Sequence, residues 1–391
     1  MAKRRNKTKR NKGKSQRRVK DWNARMHTGK NLDDIDQRIS QQRKFSQKGV
    51  KLRGDNFAEN QADEENQLGE NRATGIVTGV FRRATFVRIS GQDLFCAIAK
   101  TFRVPEGSEH TTSIAVGDDV TVALAKSEHT SGQTEIDRNR MDGMIVSRAP
   151  RKSVLARPAP RSAKRNNHYE QMPEKVIAAN MDQLMVVAAT AAPAVSQGLI
   201  DRFLIVAQRG ELRPILVLNK IDLAEPDPII IEDALARGVK IIHCSAKTGL
   251  GIEQVASELV GKRTVLAGAS GVGKSTIINQ LIPEAEAATR TVSQKDQRGR
   301  HTTTQSRVYE LECGGLLVDT PGIRELGVAA TTEELAWYFP EFDEFAADCK
   351  FRNCTHTHEP GCGVERAVEE GLIPERRFDA YLRILETIED Q

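Results

Sequence analysis

The sequence predicts three folded parts in series: a small antiparallel β-barrel, an α/β domain on a parallel sheet, and a short metal-clasped module at the C-terminus. Three observations predict it. Short alternating runs punctuated by glycine fill about 74–122, apolar runs alternating with helical patterns begin near 172, and three of the six cysteines crowd into 349–362. A chain of 391 residues has room for such parts, at roughly 100–200 residues per domain. The composition, 39% hydrophobic and 28% charged, suits a soluble globular protein. No run of 18 apolar residues occurs, and Leu184 to Val195 is too short and alanine-rich to span a bilayer. The N-terminus lacks an apolar signal core, so integral membrane and secreted classes are set aside and a cytoplasmic location is expected.

Residues 1–71 read as a disordered basic tail. The first twenty hold eleven Lys or Arg and no acid, so the net charge of +5 becomes −6 once those eleven are removed. With few apolar positions the segment cannot offset its chain entropy. Eleven cations without an anion favour a phosphate-binding arm, with RNA as the partner, over a merely solubilising one.

Residues 72–147 are expected to form the barrel. Thr85–Ile89, Asp93–Ile98 and Val120–Leu124 alternate apolar and polar, and an oligonucleotide-binding (OB) barrel is the leading candidate. Arg82, Arg83 and Arg88 are candidates for a nucleic-acid face, against the plainer reading of a wet strand surface. Residues 148–174 read as a basic linker, since 148–165 hold seven Lys or Arg, no acid and three prolines. Residues 175–332 carry the α/β texture, with apolar strands at Leu184–Ala189, Pro214–Leu218, Val239–Ile242 and Thr264–Ala267 and helical patterns between them.

The strongest chemical element is Gly268-Ala269-Ser270-Gly271-Val272-Gly273-Lys274-Ser275. It matches G-x-x-x-x-G-K-[ST] between a strand and the helix that opens at Thr276. Glycines let successive amides of this loop and helix start face phosphate. Lys274 would reach the β- and γ-oxygens and the Ser275 hydroxyl would ligate Mg²⁺. This is a nucleoside triphosphate site.

Guanine is the expected base. Asn219-Lys220-Ile221-Asp222 follows one strand, and the Asp222 carboxylate can accept from guanine N1–H and its 2-amino group, a donor pair adenine lacks. Ser245-Ala246-Lys247 follows another strand, where a backbone N–H can meet guanine O6. Downstream, Asp319-Thr320-Pro321-Gly322 ends a further strand; its acid can hold Mg²⁺ through water and the Gly322 N–H can sense the γ-phosphate. Within Gly299–Thr304, Thr303 is preferred to Thr302 as a Mg²⁺ ligand. Ile323 stands where many GTPases place a water-orienting glutamine, so slow intrinsic turnover is expected. His301 is the candidate substitute, against the plainer reading that it packs or contacts RNA.

The order of these boxes is unusual. The guanine boxes precede the phosphate loop and the switch boxes follow it, the arrangement of a circularly permuted GTPase domain. The Gly322 box therefore runs directly into residues 333–391. There Cys349-x4-Cys354-x-His356-x5-Cys362 offers three thiolates and an imidazole, the donor set of one structural Zn²⁺, with His356 preferred to His358. Such an ion contributes roughly 10–16 kcal/mol to a small module. Phe378, Tyr381, Leu382 and Leu385 then form an amphipathic stripe on a helix starting near Pro374, read as core.

Permuted GTPase boxes, an OB-like barrel before them and C-x4-C-x-H-x5-C after them together resemble the ribosome small-subunit-dependent GTPase family, RsgA (also called YjeQ), over about 72–391. The resemblance implies a monomeric bacterial cytoplasmic factor using GTP/GDP, Mg²⁺ and zinc, with no DNA or membrane partner. It implies binding to the 30S subunit and its 16S rRNA through the OB and zinc domains, late in subunit maturation. Slow hydrolysis, stimulated by the subunit and followed by release, is implied too, as is the His301 role. A competing reading is a nucleotide-gated RNA-binding module in which hydrolysis is incidental. An ATP-dependent RNA remodeller is opposed by Asp222.

Overall fold

The computed structural model describes residues 71–81, 85–103, 112–125, 142–158, 174–194, 196–282, 307–320 and 327–389. The basic tail, apart from Asn71, and Arg82 and Arg83 lie outside the described residues.

Five strands close the barrel: β1 (Arg72–Val80), β2 (Thr85–Ile89), β3 (Gln92–Arg103), β4 (Asp119–Leu124) and β5 (Gly143–Arg148). Their order is β1-β2-β3-β5-β4, β4 pairs back onto β1, and only β3 and β5 run parallel. That is the OB arrangement. Inward positions supply its core, among them Val77, Val87, Cys96, Val120, Val122 and Ile145. Arg88 is not a free cation of a nucleic-acid face. Its guanidinium grips Asp93 at 2.7 Å and Glu310 of the next domain at 3.1 Å.

The stretch expected to be an extended linker is partly built into the fold. β6 (Val154–Pro158) pairs antiparallel with β7 (Glu174–Ala179). The amide of Ala179 donates to Val116 O at 2.8 Å, and so ties this ribbon to the barrel. Two cations of the stretch turn inward because the fully buried Asp118 needs partners. Arg151 Nε and Nη2 each lie 2.8 Å from its oxygens, the Ala115 amide donates at 2.7 Å, and Arg148 stands 3.9 Å away.

The six-stranded sheet comprises β8 (Gln183–Ala189), β9 (Arg213–Asn219), β10 (Lys240–His243), β11 (Arg263–Ala267), β12 (Arg307–Glu310) and β13 (Leu316–Asp319). Their order is β10-β9-β8-β11-β13-β12, parallel throughout except for β12. Every residue of central β8 is buried, as a parallel strand covered on both faces requires. Leu184, Val186 and Ala188 face one layer with α1 (Gln197–Arg209) and α2 (Pro228–Ala236). Met185, Val187 and Ala189 face the other, with α3 (Ile252–Leu259) and α4 (Lys274–Leu281).

The C-terminal module contains α5 (Thr332–Leu335), α6 (Asp343–Ala346), α7 (Gly363–Glu369) and α8 (Glu375–Glu389). The expected apolar stripe of α8 does pack as core, with Tyr381 fully buried among Phe339, Phe342 and Ile384. Ile205 of α1 enters the same core, so the module is seated on the α/β domain. Charges fix the seat. Arg377 of α8 and Arg237 after α2 meet one oxygen of buried Asp201 on α1, at 2.7 and 2.9 Å. No helix among the described residues is long and apolar enough to cross a membrane.

Asp118→Ala would leave Arg151 buried without its carboxylate. A loss of about 3–5 kcal/mol is expected, read as a lower urea midpoint for the unfolding of the barrel.

Candidate nucleotide site and metal clasp

From β8 the chain steps outward through β9 to β10, then returns to β11 on the other side of β8. The loops after β8 and β11 therefore diverge, and a crevice opens at their carboxyl ends, where parallel sheets bind ligands. The phosphate-loop sequence follows β11 at that point. Gly268 has φ 140° and a Cβ there would lie 2.2 Å from Val187 O of β8, so only glycine lets the loop lie this close to the sheet. Gly273 has φ 102° and caps α4. Lys274 folds its ammonium over the loop, donating to Gly268 O at 2.7 Å and Ala269 O at 2.8 Å. Ser275 and Thr276 are exposed on the first turn of α4.

Asn219, at the end of β9, spends both ends of its amide on the protein. Its Nδ2 donates to Val272 O at 2.8 Å, and its Oδ1 accepts from the Ala246 amide at 3.0 Å. It therefore braces the phosphate loop against the Ser245–Lys247 loop, and is 98% buried while doing so (2% exposed). Asp222 is exposed, with Oδ1 accepting from buried Ser245 Oγ at 2.6 Å, which aims the carboxylate. Since the Ala246 amide is used by Asn219, the amide left for a base oxygen in this loop is that of Lys247, which has no hydrogen bond among the described residues.

The sequence reading missed the loop after β8. Thr190 Oγ1 donates to Lys220 O at 2.8 Å, the Lys220 ammonium donates to Ala192 O, and Pro193 lies beside Gly271. Thr190 and Pro193 immediately after an apolar strand were the available signal. On the other side, Asp319 ends β13. Burial pushes its carboxyl up, against the opposing pull of Lys274 and Arg307, and its Oδ1 is buried without a hydrogen-bond partner among the described residues. His301, Thr303 and Gly322 lie outside the described residues.

The cysteine cluster closes as a separate clasp. Donor atoms of Cys349, Cys354, His356 and Cys362 all lie within 4.8 Å of one another. Cys349 Sγ is 3.6 Å from His356 Nδ1 and 3.9 Å from Cys362 Sγ, and His356 Nδ1 is 3.4 Å from Cys362 Sγ. Zinc–sulfur bonds of about 2.3 Å in a tetrahedron give edges of about 3.8 Å, so the set fits that ion. The amides of Gly363 and Glu365 donate to the Cys349 and Cys362 sulfurs, at 3.3 and 3.4 Å. Burial lowers the His356 pKa against the opposing pull of Glu359, which favours the neutral imidazole a metal needs, whereas His358 is exposed and bonded to Thr357 Oγ1. Burial works to raise the Glu359 pKa. Donors from Thr355, Thr357 and His358 outweigh it and hold the carboxylate far below its ordinary range, which pins the loop between two ligands.

A family model described as RsgA GTPase matches residues 148–329. The chain is also 35% identical over 335 residues to the small ribosomal subunit biogenesis GTPase RsgA of Shewanella oneidensis, covering 84% of this chain and 87% of that one. The chain belongs to the RsgA GTPase family. It is accordingly a GTP hydrolase with a permuted domain. A second relative, RsgA 2 of Bacteroides thetaiotaomicron, is 37% identical over 306 residues, 77% of this chain and 92% of its own. Among solved structures, YjeQ from Thermotoga maritima matches with a TM-score of 0.57 at 30% identity, over 82% of this chain and all of that one. YloQ, described as a circularly permuted GTPase, shares the fold at a TM-score of 0.54 and 24% identity, over 82% of this chain and 96% of its own. RsgA family membership implies GTP, GDP and Mg²⁺, and the site fits a cation: a buried carboxylate oxygen on Asp319 with no hydrogen-bond partner among the described residues, and an exposed hydroxyl on Ser275.

Asn219→Ala would strand Val272 O and the Ala246 amide and free two loops from each other. Affinity for fluorescent GDP and GTP is expected to fall about ten- to a hundredfold, equally for both, in equilibrium titration.

Proposed function

We propose that the chain binds the small (30S) ribosomal subunit late in its maturation, through 16S rRNA, and that the subunit stimulates GTP hydrolysis, which drives release. One observation carries this reading: the chain leaves the Asp319 strand end and enters the core of the C-terminal module within a few residues. Val328 follows Asp319 by nine positions and is already buried in the core of the C-terminal module, beside Ile205 of α1. Movement of the box at 319–322 therefore pulls on a module suited to gripping RNA. The names of the Shewanella and Bacteroides relatives, small ribosomal subunit biogenesis GTPases, support the choice of particle.

In this reading Asp222 accepts from guanine N1–H and its 2-amino group, and the Lys247 amide donates to O6. Amides from Gly268 to Thr276 hold the phosphates and Lys274 neutralises the β- and γ-oxygens. Ser275, Asp319 and Thr303 would hold Mg²⁺, whose chemistry is to offset charge developing on the transferred phosphoryl group. The Gly322 amide senses the γ-phosphate. His301 positions the attacking water, because Ile323 cannot. Asn219 acts through the loops it braces rather than on the base. Cys349, Cys354, His356 and Cys362 hold one structural zinc, and the protein works as a cytoplasmic monomer without DNA or membrane.

The test is GTP turnover by the purified protein alone, with 30S subunits and with 50S subunits. A large rise with 30S subunits only, lost in His301→Ala, is expected. Equal turnover in all three mixtures would overturn the stimulated hydrolase and leave a nucleotide-gated RNA binder.

A further inference from the structure

Two large aromatic side chains of the C-terminal module face solvent, in opposite electrostatic settings. Trp337 is 68% exposed and lies in a stretch whose exposed acids are Glu333, Asp343 and Glu344. A phosphate chain would be repelled there. Phe351 is 40% exposed and sits in the clasp loop between exposed Lys350 and Arg352.

The clasp loop is held from both sides. Cys349 and Cys354 flank it, the Lys350 amide donates to Gly361 O at 3.1 Å, and the Cys354 amide donates to Phe351 O at 3.3 Å. Its ring is therefore presented at little cost in ordering. Nearby acids are already occupied: Asp348 pairs with Arg366 at 2.9 Å, and Glu359 is saturated by the donors described above. Lys350 places its ammonium 5.4 Å from the Phe351 ring centroid, and neither Lys350 nor Arg352 has an acidic partner among the described residues.

We propose that Phe351 stacks on an unpaired RNA base while Lys350 and Arg352 hold the flanking phosphates. The proposal rests on the RNA-bound function above and names the chemistry of one contact. An exposed ring between two cations without acidic partners among the described residues fits a single strand, whose bases have free faces and whose backbone is anionic. A duplex offers it no face, because its bases are stacked and the RNA major groove is too narrow for side chains.

The experiment uses the full-length protein with its zinc content measured, and a short fluorescein-labelled RNA read by anisotropy at fixed salt, single-stranded or annealed to its complement. Phe351→Ala should weaken single-strand binding about five- to a hundredfold with little change for the duplex. Phe351→Trp should restore it and Phe351→Leu should not. Because the ring is uncharged, the salt dependence should stay as in the wild type, whereas Lys350→Ala and Arg352→Ala should each lower its slope by about 0.7. Wild-type single-strand affinity in Phe351→Ala or Phe351→Leu, or equal losses on single strand and duplex, would overturn the stacking. If wild-type protein ignored 30S subunits yet showed this Phe351 dependence, the ribosomal reading would fall and the stacking contact would stand.

Discussion

One buried side-chain amide sets the spacing of the nucleotide site. Asn219 reaches the phosphate loop with its nitrogen and the Ser245–Lys247 loop with its oxygen, at 2.8 and 3.0 Å. In the proposed reading those loops grip opposite ends of one nucleotide, so their separation has to be fixed before the ligand arrives. An amide suits this task because it donates and accepts in one plane, and in the dry interior an unmade half would be costly. The brace works only because β9 and β11 flank fully buried β8 in register, with Leu218 opposite Ala188 and Ala267 opposite Val186. Glycine at 268 then lets the loop lie against β8 itself.

In the proposed function the permuted chain order makes that rigid site a lever. Ile205 of α1 and Val328 and Ala330 after the 319–322 box all enter the C-terminal core. The seam also carries charge. Burial drives the Asp201 carboxyl up, Arg377 and Arg237 oppose it, and Arg377 reaches Glu341 at 2.6 Å as well. Buried ion pairs define one arrangement sharply while adding little net stability over apolar packing. Such a seam holds the module in one defined pose against the α/β domain.

Much of this was legible in the sequence because the chemistry is local. The phosphate loop, N-K-x-D and the cysteine spacing each place their donors within a few residues, and strand-ending positions gave them context. The barrel's alternating strands were legible for the same reason. What the sequence hid depends on distant partners. Arg148 and Arg151 read as cations of a basic linker, yet they serve a carboxylate about thirty positions earlier, at Asp118. Arg88 likewise serves Asp93 and Glu310. The Asp201–Arg377 contact joins residues 176 positions apart, and no periodicity announces it. The tetrapeptide that holds Asn219 points to a ligand, and only the fold shows both ends of its amide bonded to the neighbouring loops.

The central claim is that nucleotide state reaches the clasp through residues 327–342. Amide hydrogen exchange of the full-length protein, with GDP and with a non-hydrolysable GTP analogue, tests it directly. The account predicts a change in protection across 327–342 and along α8 between the two ligands. Identical exchange there, with changes confined to the loops around Asn219 and Gly268, would contradict it.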